Sequence, residues 1–391
     1  MKKHLFAGII GIVLLAAGGC GADGTAAQNE AQTTVSGTEG ISETAAAEEN
    51  TAEANTEEVS TEEEEEMSEN PNLAIRRDPQ ENHYIFELSE NVERTQVYYK
   101  NRFGIEIAGD LYIAKDADLS QQYPALVIGP PFGGVKEQGP GVYANELAQR
   151  GFVVLAFDPS YHGYSGGEPR MTGSTAMYVE DFSAGVDLLG SLDYVDRERI
   201  GAMGICGSGG FALAAATMDT RIKAVAPVVM YDIAGLNNSM SGEARQEMLT
   251  MASEQRWEDF GTDEAAWRVS YPEEPTEEIP EGLDDVTAEF YSFYGTERGW
   301  HPNALGNVTN ASFADLMTFP ALTHISELNG RPVLFVAGEN AHSLAYSEDA
   351  YADAAEPKEL YIVPDANHVD LYDQVDKIPF DKLESFFKES M

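Results

Sequence analysis

The sequence predicts an α/β protein with a mostly parallel central sheet. The chain has 391 residues, which is enough for one large or two ordinary domains with a full hydrophobic core. Short, continuous apolar runs alternate with helical patterns over much of its length, and a β-rich stretch precedes them. Apolar runs of this kind are typical of strands buried on both faces, joined by right-handed helical crossovers.

The β-rich stretch over residues 92–114 is broken at Asn101–Gly104, which predicts an antiparallel hairpin at one edge of the sheet. The predicted strands that follow are Ala125–Gly129, Phe152–Phe157, Ile200–Met203, Ala224–Met230, Val333–Ala337 and Leu360–Val363. The predicted helices are Val142–Arg150, Ala176–Leu192, Gly209–Met218 and Ser347–Ala354, with a last helix from Pro379 onward.

About a hundred residues, 232–331, interrupt the strand–helix rhythm. They contain all three tryptophans and the aromatic run "FYSFYG" at 290–295. We interpret this insertion as a cap over the carboxyl edge of the sheet. The alternative is that its aromatic side chains only build a small core of their own.

The first 20 residues have the layout of an export signal. Lys2 and Lys3 precede an apolar run that is too short to span a membrane comfortably, and "AGGC" ends at Cys20. Small residues before a cysteine resemble the lipobox of bacterial lipoproteins, which implies a lipid on Cys20 and an exported protein anchored to the cell membrane. An ordinary signal peptide with an incidental cysteine is the alternative.

Residues 21–71 predict a disordered, acidic linker. They are rich in Glu, Ala, Thr and Ser and contain no Lys or Arg, so they cannot bury enough apolar surface to fold. The whole chain has a formal net charge of −43. Nucleic acid is therefore excluded as a partner, because phosphate backbones are bound by basic surfaces.

The segment "GICGSGG" at 204–210 fits a nucleophile elbow, a tight turn between a strand and a helix with the nucleophile at its apex. One register places Cys206 at the apex, with small residues two positions to either side. The other register would make Ser208 the nucleophile, two residues farther from the strand. A glycine-rich turn that only packs or cradles phosphate is the third possibility.

With this elbow the chain resembles the α/β-hydrolase superfamily, and the resemblance covers residues 92–390. The cysteine at the apex of the elbow resembles the one in dienelactone hydrolases. The stretch from Gly129 that begins "GPPFGGVKEQ" and the later "AGENAHS" and "ANHVDLYD" support the resemblance. It departs at Pro130, where a histidine is common. The resemblance implies an α/β-hydrolase fold over residues 72–391 and cleavage of an ester, thioester or lactone in a small acyl substrate.

A thiol attacks as thiolate, so Cys206 needs a base and a positive local field. We expect the following helix to lower the thiol pKa and His368 to act as the general base. The acid that would orient His368 commonly follows the strand after the cap, but Ala341 stands there. Glu339 is the preferred candidate and Asp232 the alternative.

The resemblance also implies an oxyanion hole formed by the backbone N–H groups of Phe132 and Gly207, and His342 could help to orient the site. No metal-ligand spacing occurs, so we expect neither a metal nor an organic cofactor. Two other functions stay open: a surface lipoprotein that uses the fold for ligand binding without catalysis, and a peptidase-like hydrolase that cleaves amides.

Overall fold

The computed structural model describes residues 66–67, 73–76, 83–262 and 264–391. The predicted signal at 1–20 and almost all of the predicted linker at 21–71 lie outside these residues. Residues Glu66–Met67 belong to the predicted linker, yet they form a short strand that pairs with Leu73–Arg76.

Within the residues that the structure describes, ten strands form the central sheet. They are β1 (Glu66–Met67), β2 (Leu73–Arg76), β3 (Val92–Lys100), β4 (Glu106–Ala114), β5 (Tyr123–Gly129), β6 (Val153–Phe157), β7 (Val195–Ile205), β8 (Ala224–Val228), β11 (Val333–Gly338) and β12 (Lys358–Val363). The spatial order is β1-β2-β3-β4-β6-β5-β7-β8-β11-β12, and every pair from β6 to β12 is parallel. The predicted α/β-hydrolase fold with a mostly parallel sheet is confirmed.

The predicted hairpin is β3 and β4, and it joins the parallel part of the sheet through antiparallel pairing of β4 with β6. It does not form the outermost edge, because β2 and β1 extend the sheet beyond it. The parallel strands β6, β8 and β11 are completely buried. Two apolar cores lie on opposite faces of the sheet, as the continuous apolar runs predicted.

The helices that cover the sheet are α1 (Gly139–Ala148), α2 (Thr175–Ser191), α3 (Gly207–Met218), α8 (Leu344–Asp353) and α10 (Phe380–Ser390). A short helix α9 (Asp370–Asp373) precedes the last of them. Each predicted helix is present, with ends that differ from the prediction by up to three residues. Helix α3 starts two residues earlier than predicted, directly after Cys206.

The insertion between β8 and β11 contains helices α4 (Ile233–Asn238), α5 (Gly242–Asp259), α6 (Asp285–Tyr294) and α7 (Phe313–Leu316). Its strands β9 (Trp267–Val269) and β10 (Gly306–Thr309) pair antiparallel, apart from the main sheet. Insertion side chains and core side chains line one cavity above the carboxyl ends of the parallel strands. Within the described ranges, no helix combines the length and apolarity that crossing a membrane requires.

Candidate active site

Cys206 lies at the turn between β7 and α3 in a strained backbone conformation. Its φ is 56° and its ψ is −119°, a region that L-residues rarely adopt and that costs about 1–3 kcal/mol. Its amide N–H donates to the carbonyl of Val228, and its carbonyl accepts from the N–H of Tyr231. These two bonds to the neighbouring chain hold the strained apex in place.

Close backbone approach explains the small residues around Cys206. A Cβ on Gly204 would lie 1.9 Å from the carbonyl oxygen of Ser208, so the turn can close only with glycine there. Ser208 itself is in the first turn of α3, and its Oγ faces Gly129, where an added Cβ would come within 2.9 Å of it. The structure therefore places Cys206 at the apex and in the cavity wall, and Ser208 against the sheet.

Two backbone amides converge on the sulfur of Cys206. The N–H groups of Gly207 and Phe132 are both close enough to Sγ to lower the pKa of the thiol. A Cβ on Gly207 would lie 2.7 Å from Cβ of Phe132, so glycine allows the two amides to stand side by side. An anionic oxygen beside the sulfur can accept from both donors, which is the arrangement of an oxyanion hole. The structure thus brings together the two predicted donors.

The predicted lowering of the thiol pKa is wrong. Burial raises the pKa of the Cys206 thiol to about 11, and the hydrogen bonds from Tyr372, Gly207 and Phe132 offset only part of this effect. The side chain is almost completely buried. Removal of the sulfur from water outweighs the field at the start of α3, so the thiol is protonated at neutral pH and a base must take its proton.

His368 lies in the loop between β12 and α9 and is completely buried. Its Nδ1 is 2.6 Å from Oγ of Ser343, and its Nε2 is 3.0 Å from the hydroxyl of Tyr372. That hydroxyl is also close enough to Cys206 to lower the pKa of the thiol. Tyr372 is therefore next to both Cys206 and His368, and His368 also contacts Ser343.

Neither predicted acid is brought to His368. Glu339 is exposed, and its Oε2 accepts a hydrogen bond from the backbone N–H of Asp365 at 3.2 Å. Asp232 caps α4, where its Oδ1 accepts from the N–H of Gly235 at 2.9 Å. Both carboxylates accept hydrogen bonds from nearby backbone N–H groups instead. Ser343, two residues beyond Ala341, lies next to Nδ1 of His368.

A carboxylate reaches the site indirectly from the cap. Glu289 of α6 places Oε2 3.0 Å from Nδ1 of His342, while its Oε1 accepts from the N–H of Val369 at 3.0 Å. The His342 ring lies 4.6 Å from the His368 ring, with their planes inclined by 33°. Burial, with a smaller contribution from His342, lowers the pKa of His368 well below 6.5, so His368 is neutral at physiological pH.

The cavity next to Cys206 has a volume of about 300 Å³. Aromatic and aliphatic side chains dominate its wall, and most of them come from the insertion. The residues lining it include Phe132, Cys206, Tyr231, Ile233, Leu236, Tyr271, Leu283, Phe290, Tyr291, Tyr294, Val308, Phe313 and Tyr372. Such a wall binds a largely apolar group.

A buried ion cluster anchors the oxyanion loop behind the cavity. Nζ of Lys136 contacts Glu137 and lies 3.5 Å from Oδ2 of Asp110. The backbone N–H of Lys136 donates to Oδ1 of Asp158 at 2.8 Å. Burial raises the pKa of Glu137 to about 8. The next residue, Gln138, donates to the carbonyl of Gly299 in the insertion at 2.6 Å. The loop that carries Phe132 is thereby fixed to both the sheet and the cap.

Among residues 66–67, 73–76, 83–262 and 264–391, no group of three or more His, Cys, Asp or Glu side chains has an arrangement that could hold a metal ion. His162 is buried against the hydroxyl of Tyr178 at 2.7 Å, and Nε2 of His301 lies 3.8 Å from Oε2 of Glu137. Neither histidine lines the cavity.

The chain is similar to known proteins over most of its length. The model of the dienelactone hydrolase family matches residues 109–232, which include the oxyanion loop and the elbow. A protein of Pseudomonas aeruginosa described as uncharacterized, PA2218, is 47% identical over 314 residues, which cover 78% of this chain and 83% of that protein. The chain contains a dienelactone hydrolase family domain and belongs to the same family as PA2218.

Two further relatives and one solved structure are similar to most of this chain. The crystal structure of PA2218 superimposes with a TM-score of 0.75 and 45% identity, covering 80% of this chain and 99% of that one. The Escherichia coli protein YcjY, also described as uncharacterized, is 37% identical over 69% of this chain and 89% of its own. The acyltransferase drtE of Aspergillus calidoustus is 27% identical over 72% of this chain and 89% of its own.

The sequence alone did not identify three residues of the site: Tyr372, Ser343 and Glu289. Tyr372 and Ser343 lie within the quoted stretches "ANHVDLYD" and "AGENAHS", but hydroxyl groups carry no charge signal that marks them as site residues. Glu289 precedes the aromatic run of the insertion, and only the folded cap brings it to His342. The spacing of His368 and Tyr372, four residues apart, was the one available signal.

Proposed function

We propose that this member of a hydrolase family is a cysteine-dependent acyl hydrolase that forms a thioester on Cys206. The observation that carries the proposal is the environment of the sulfur. It stands at a strained apex in the cavity wall, beside the N–H groups of Gly207 and Phe132, which lower the pKa of the thiol. A purely structural buried cysteine needs neither feature.

In this mechanism His368 is the general base. Its neutral ring removes the thiol proton while Sγ attacks the acyl carbon, and the carbonyl oxygen becomes an anion held by the amides of Gly207 and Phe132. The tetrahedral intermediate collapses as the leaving group takes the proton back from His368. Water, deprotonated by His368, then attacks the thioester and releases the acid and the thiol.

The cavity supports an uncharged ester, thioester or lactone with an apolar acyl group as the substrate. Aromatic side chains of the insertion, such as Tyr271, Phe290 and Tyr294, line the same cavity of about 300 Å³ as Cys206. The chain as a whole is strongly acidic, so a polyanionic substrate would be repelled at long range. We expect aromatic or medium-length aliphatic acyl groups to be preferred over acetyl.

The test is hydrolysis of p-nitrophenyl butyrate by the full chain, by Cys206→Ala and by Ser208→Ala, with intact mass measured after rapid quenching. We expect the wild type to carry one butyryl group that maps to Cys206, and Cys206→Ala to be inactive. Ser208→Ala is the matched control, because it removes a hydroxyl two residues away and should keep the acyl adduct. Full activity in Cys206→Ala would overturn the proposal.

Acyl transfer to an alcohol is a second candidate, because the sulfur is almost completely buried beside a cavity whose wall is mostly apolar, which favours an alcohol over water as the acceptor. The name of the relative drtE agrees with this chemistry. The experiment adds butanol to the same reaction and compares butyl butyrate with butyrate. If the ratio of butyl butyrate to butyrate exceeds the ratio of butanol to water, the result favours transfer. Formation of butyrate alone favours hydrolysis.

We also propose that the protein is anchored to the cell membrane through lipid on Cys20, on the sequence pattern alone. Metabolic labelling with a fatty acid, followed by fractionation of wild type and Cys20→Ala, tests it. Label in the membrane fraction that disappears in Cys20→Ala supports the anchor, and equal labelling of both contradicts it.

A further inference from the structure

Tyr372 is close to both reactive groups of the site. It lies in α9, four residues after His368, and its side chain is completely buried at the wall of the cavity that Cys206 also lines. Its hydroxyl stands 3.0 Å from Nε2 of His368 and is close enough to Cys206 to lower the pKa of the thiol. A hydroxyl in this position can accept a proton from one partner while it donates its own to the other.

The surroundings of Tyr372 hold this hydroxyl in place. Its ring packs edge-to-face against Phe293 of α6, with ring centres 5.1 Å apart. The preceding carbonyl, of Leu371, accepts a hydrogen bond from the hydroxyl of Tyr143 at 2.7 Å. Arg298 of the insertion binds both carboxylate oxygens of Asp373, at 2.9 and 2.7 Å. The cap and the core thus clamp the turn that carries Tyr372 from both sides.

We infer that Tyr372 is a further catalytic residue, whose hydroxyl carries the proton between Cys206 and His368. This inference rests on the proposed function of Cys206. In acylation the S–H proton moves to the Tyr372 oxygen as the Tyr372 proton moves to Nε2 of His368, and the sulfur electron pair forms the new S–C bond. The reverse transfer delivers the proton to the leaving group, so no other reactant is needed.

The contact between His368 and Ser343 supports the direction of this relay. If Nδ1 carries the resting proton and donates it to Oγ of Ser343, at 2.6 Å, the lone pair of Nε2 points to the Tyr372 hydroxyl. Burial raises the pKa of Tyr372 well above 10, so a free phenolate is not a stable intermediate. The two proton transfers must therefore be concerted.

Tyr372→Phe tests the relay, because it removes the hydroxyl and keeps the ring. Tyr143→Phe is the matched control: it removes a buried hydroxyl that supports the same turn but does not line the cavity. The readout is the rate at which p-nitrophenyl butyrate acylates Cys206, followed by the burst of p-nitrophenol between pH 6 and 10. Thermal unfolding of each variant confirms the fold.

We expect acylation in Tyr372→Phe to be about 100-fold slower at pH 7, as for the loss of a general acid–base group. Its rate should then rise about tenfold per pH unit toward the thiol pKa of about 11, since only preformed thiolate remains reactive. The wild type and Tyr143→Phe should show no such rise. A merely structural tyrosine would lower the rate without changing its pH dependence.

Two results would contradict the inference in different ways. If Tyr372→Phe acylates as fast as the wild type with the same pH profile, the relay is wrong and the proposed function stands. If the wild type itself forms no butyryl adduct on Cys206, the proposed function fails and the relay falls with it.

Discussion

Oγ of Ser343 lies 2.6 Å from Nδ1 of His368, and both side chains are completely buried. A neutral hydroxyl therefore stands next to the ring nitrogen where the sequence predicted a carboxylate. A hydroxyl can fix the orientation of the ring and the nitrogen that carries the proton, but it brings no negative charge to stabilise an imidazolium ion. The carboxylate that comes closest to this role is that of Glu289, which contacts His342 and not His368 itself.

Removal of the Ser343 hydroxyl should weaken the base. In Ser343→Ala we expect kcat for p-nitrophenyl butyrate to fall about 10- to 100-fold, because a hydrogen bond to a charged group contributes about 1.5–3 kcal/mol. Ser347→Ala is the control. Ser347 is also buried in α8, and its Oγ has no hydrogen-bond partner within the part of the chain that the structure describes. Equal activity of the two variants would show that Ser343 does not position His368.

The sequence predicted the parts of the site that depend on local chain geometry. The elbow at Cys206, the donors Gly207 and Phe132 and the loop of His368 follow strand ends or tight turns, which small residues and apolar runs mark clearly. Prediction failed where tertiary contacts decide. Glu339 had the expected chain position but binds the backbone of Asp365. The thiol pKa depends on burial under an insertion whose fold a single sequence does not define.

The contact between the two oxyanion donors predicts the effect of Gly207→Ala. The new Cβ would lie 2.7 Å from Cβ of Phe132 and 3.3 Å from its amide nitrogen, so the donors must move apart. We expect kcat to fall about 100-fold, as measured for the loss of one oxyanion donor elsewhere. Gly242→Ala in α5, where a Cβ would meet nothing within 4 Å, should keep full activity. Wild-type kcat in a folded Gly207→Ala variant would contradict this role for Gly207.

Glu289 connects the cap to the base through two separate contacts, and two variants distinguish them. Glu289→Gln keeps an oxygen for the N–H of Val369 but loses the negative charge beside His342, whereas Glu289→Ala loses both. If the charge assists His368, kcat falls in both variants. If Glu289 only clamps the loop, Glu289→Gln resembles the wild type and Glu289→Ala loses activity and melts at a lower temperature. We expect the first pattern, with a roughly tenfold loss in Glu289→Gln.

The buried state of His368 predicts the pH dependence of kcat/KM. Because burial, with a smaller effect from His342, lowers the pKa of His368 well below 6.5, the ring stays neutral and remains a base as the pH falls through 6.5. With the uncharged substrate p-nitrophenyl butyrate, kcat/KM should therefore be constant from pH 7.5 to about 6 and decline only at more acidic pH. Circular dichroism over the same range separates this decline from unfolding. A half-maximal value near pH 6.5 would show that His368 titrates like an exposed histidine.

Lys136 is the buried cation among Asp110, Glu137 and Asp158, so Lys136→Met should leave uncompensated carboxylates and lower the free energy of unfolding by about 3–5 kcal/mol. Lys223→Met breaks a solvent-exposed ion pair with Glu198 and should cost less than about 1 kcal/mol.

The pH dependence of this loss identifies its cause. Buried carboxylates without a cation have raised pKa values and become neutral on acidification, so repulsion among them is relieved as the pH falls. Urea unfolding at pH 8 and pH 5 should therefore show a larger difference between wild type and Lys136→Met at pH 8. A loss of equal size at both pH values would mean that the lysine stabilises the oxyanion loop by the packing of its aliphatic chain, which methionine reproduces only in part.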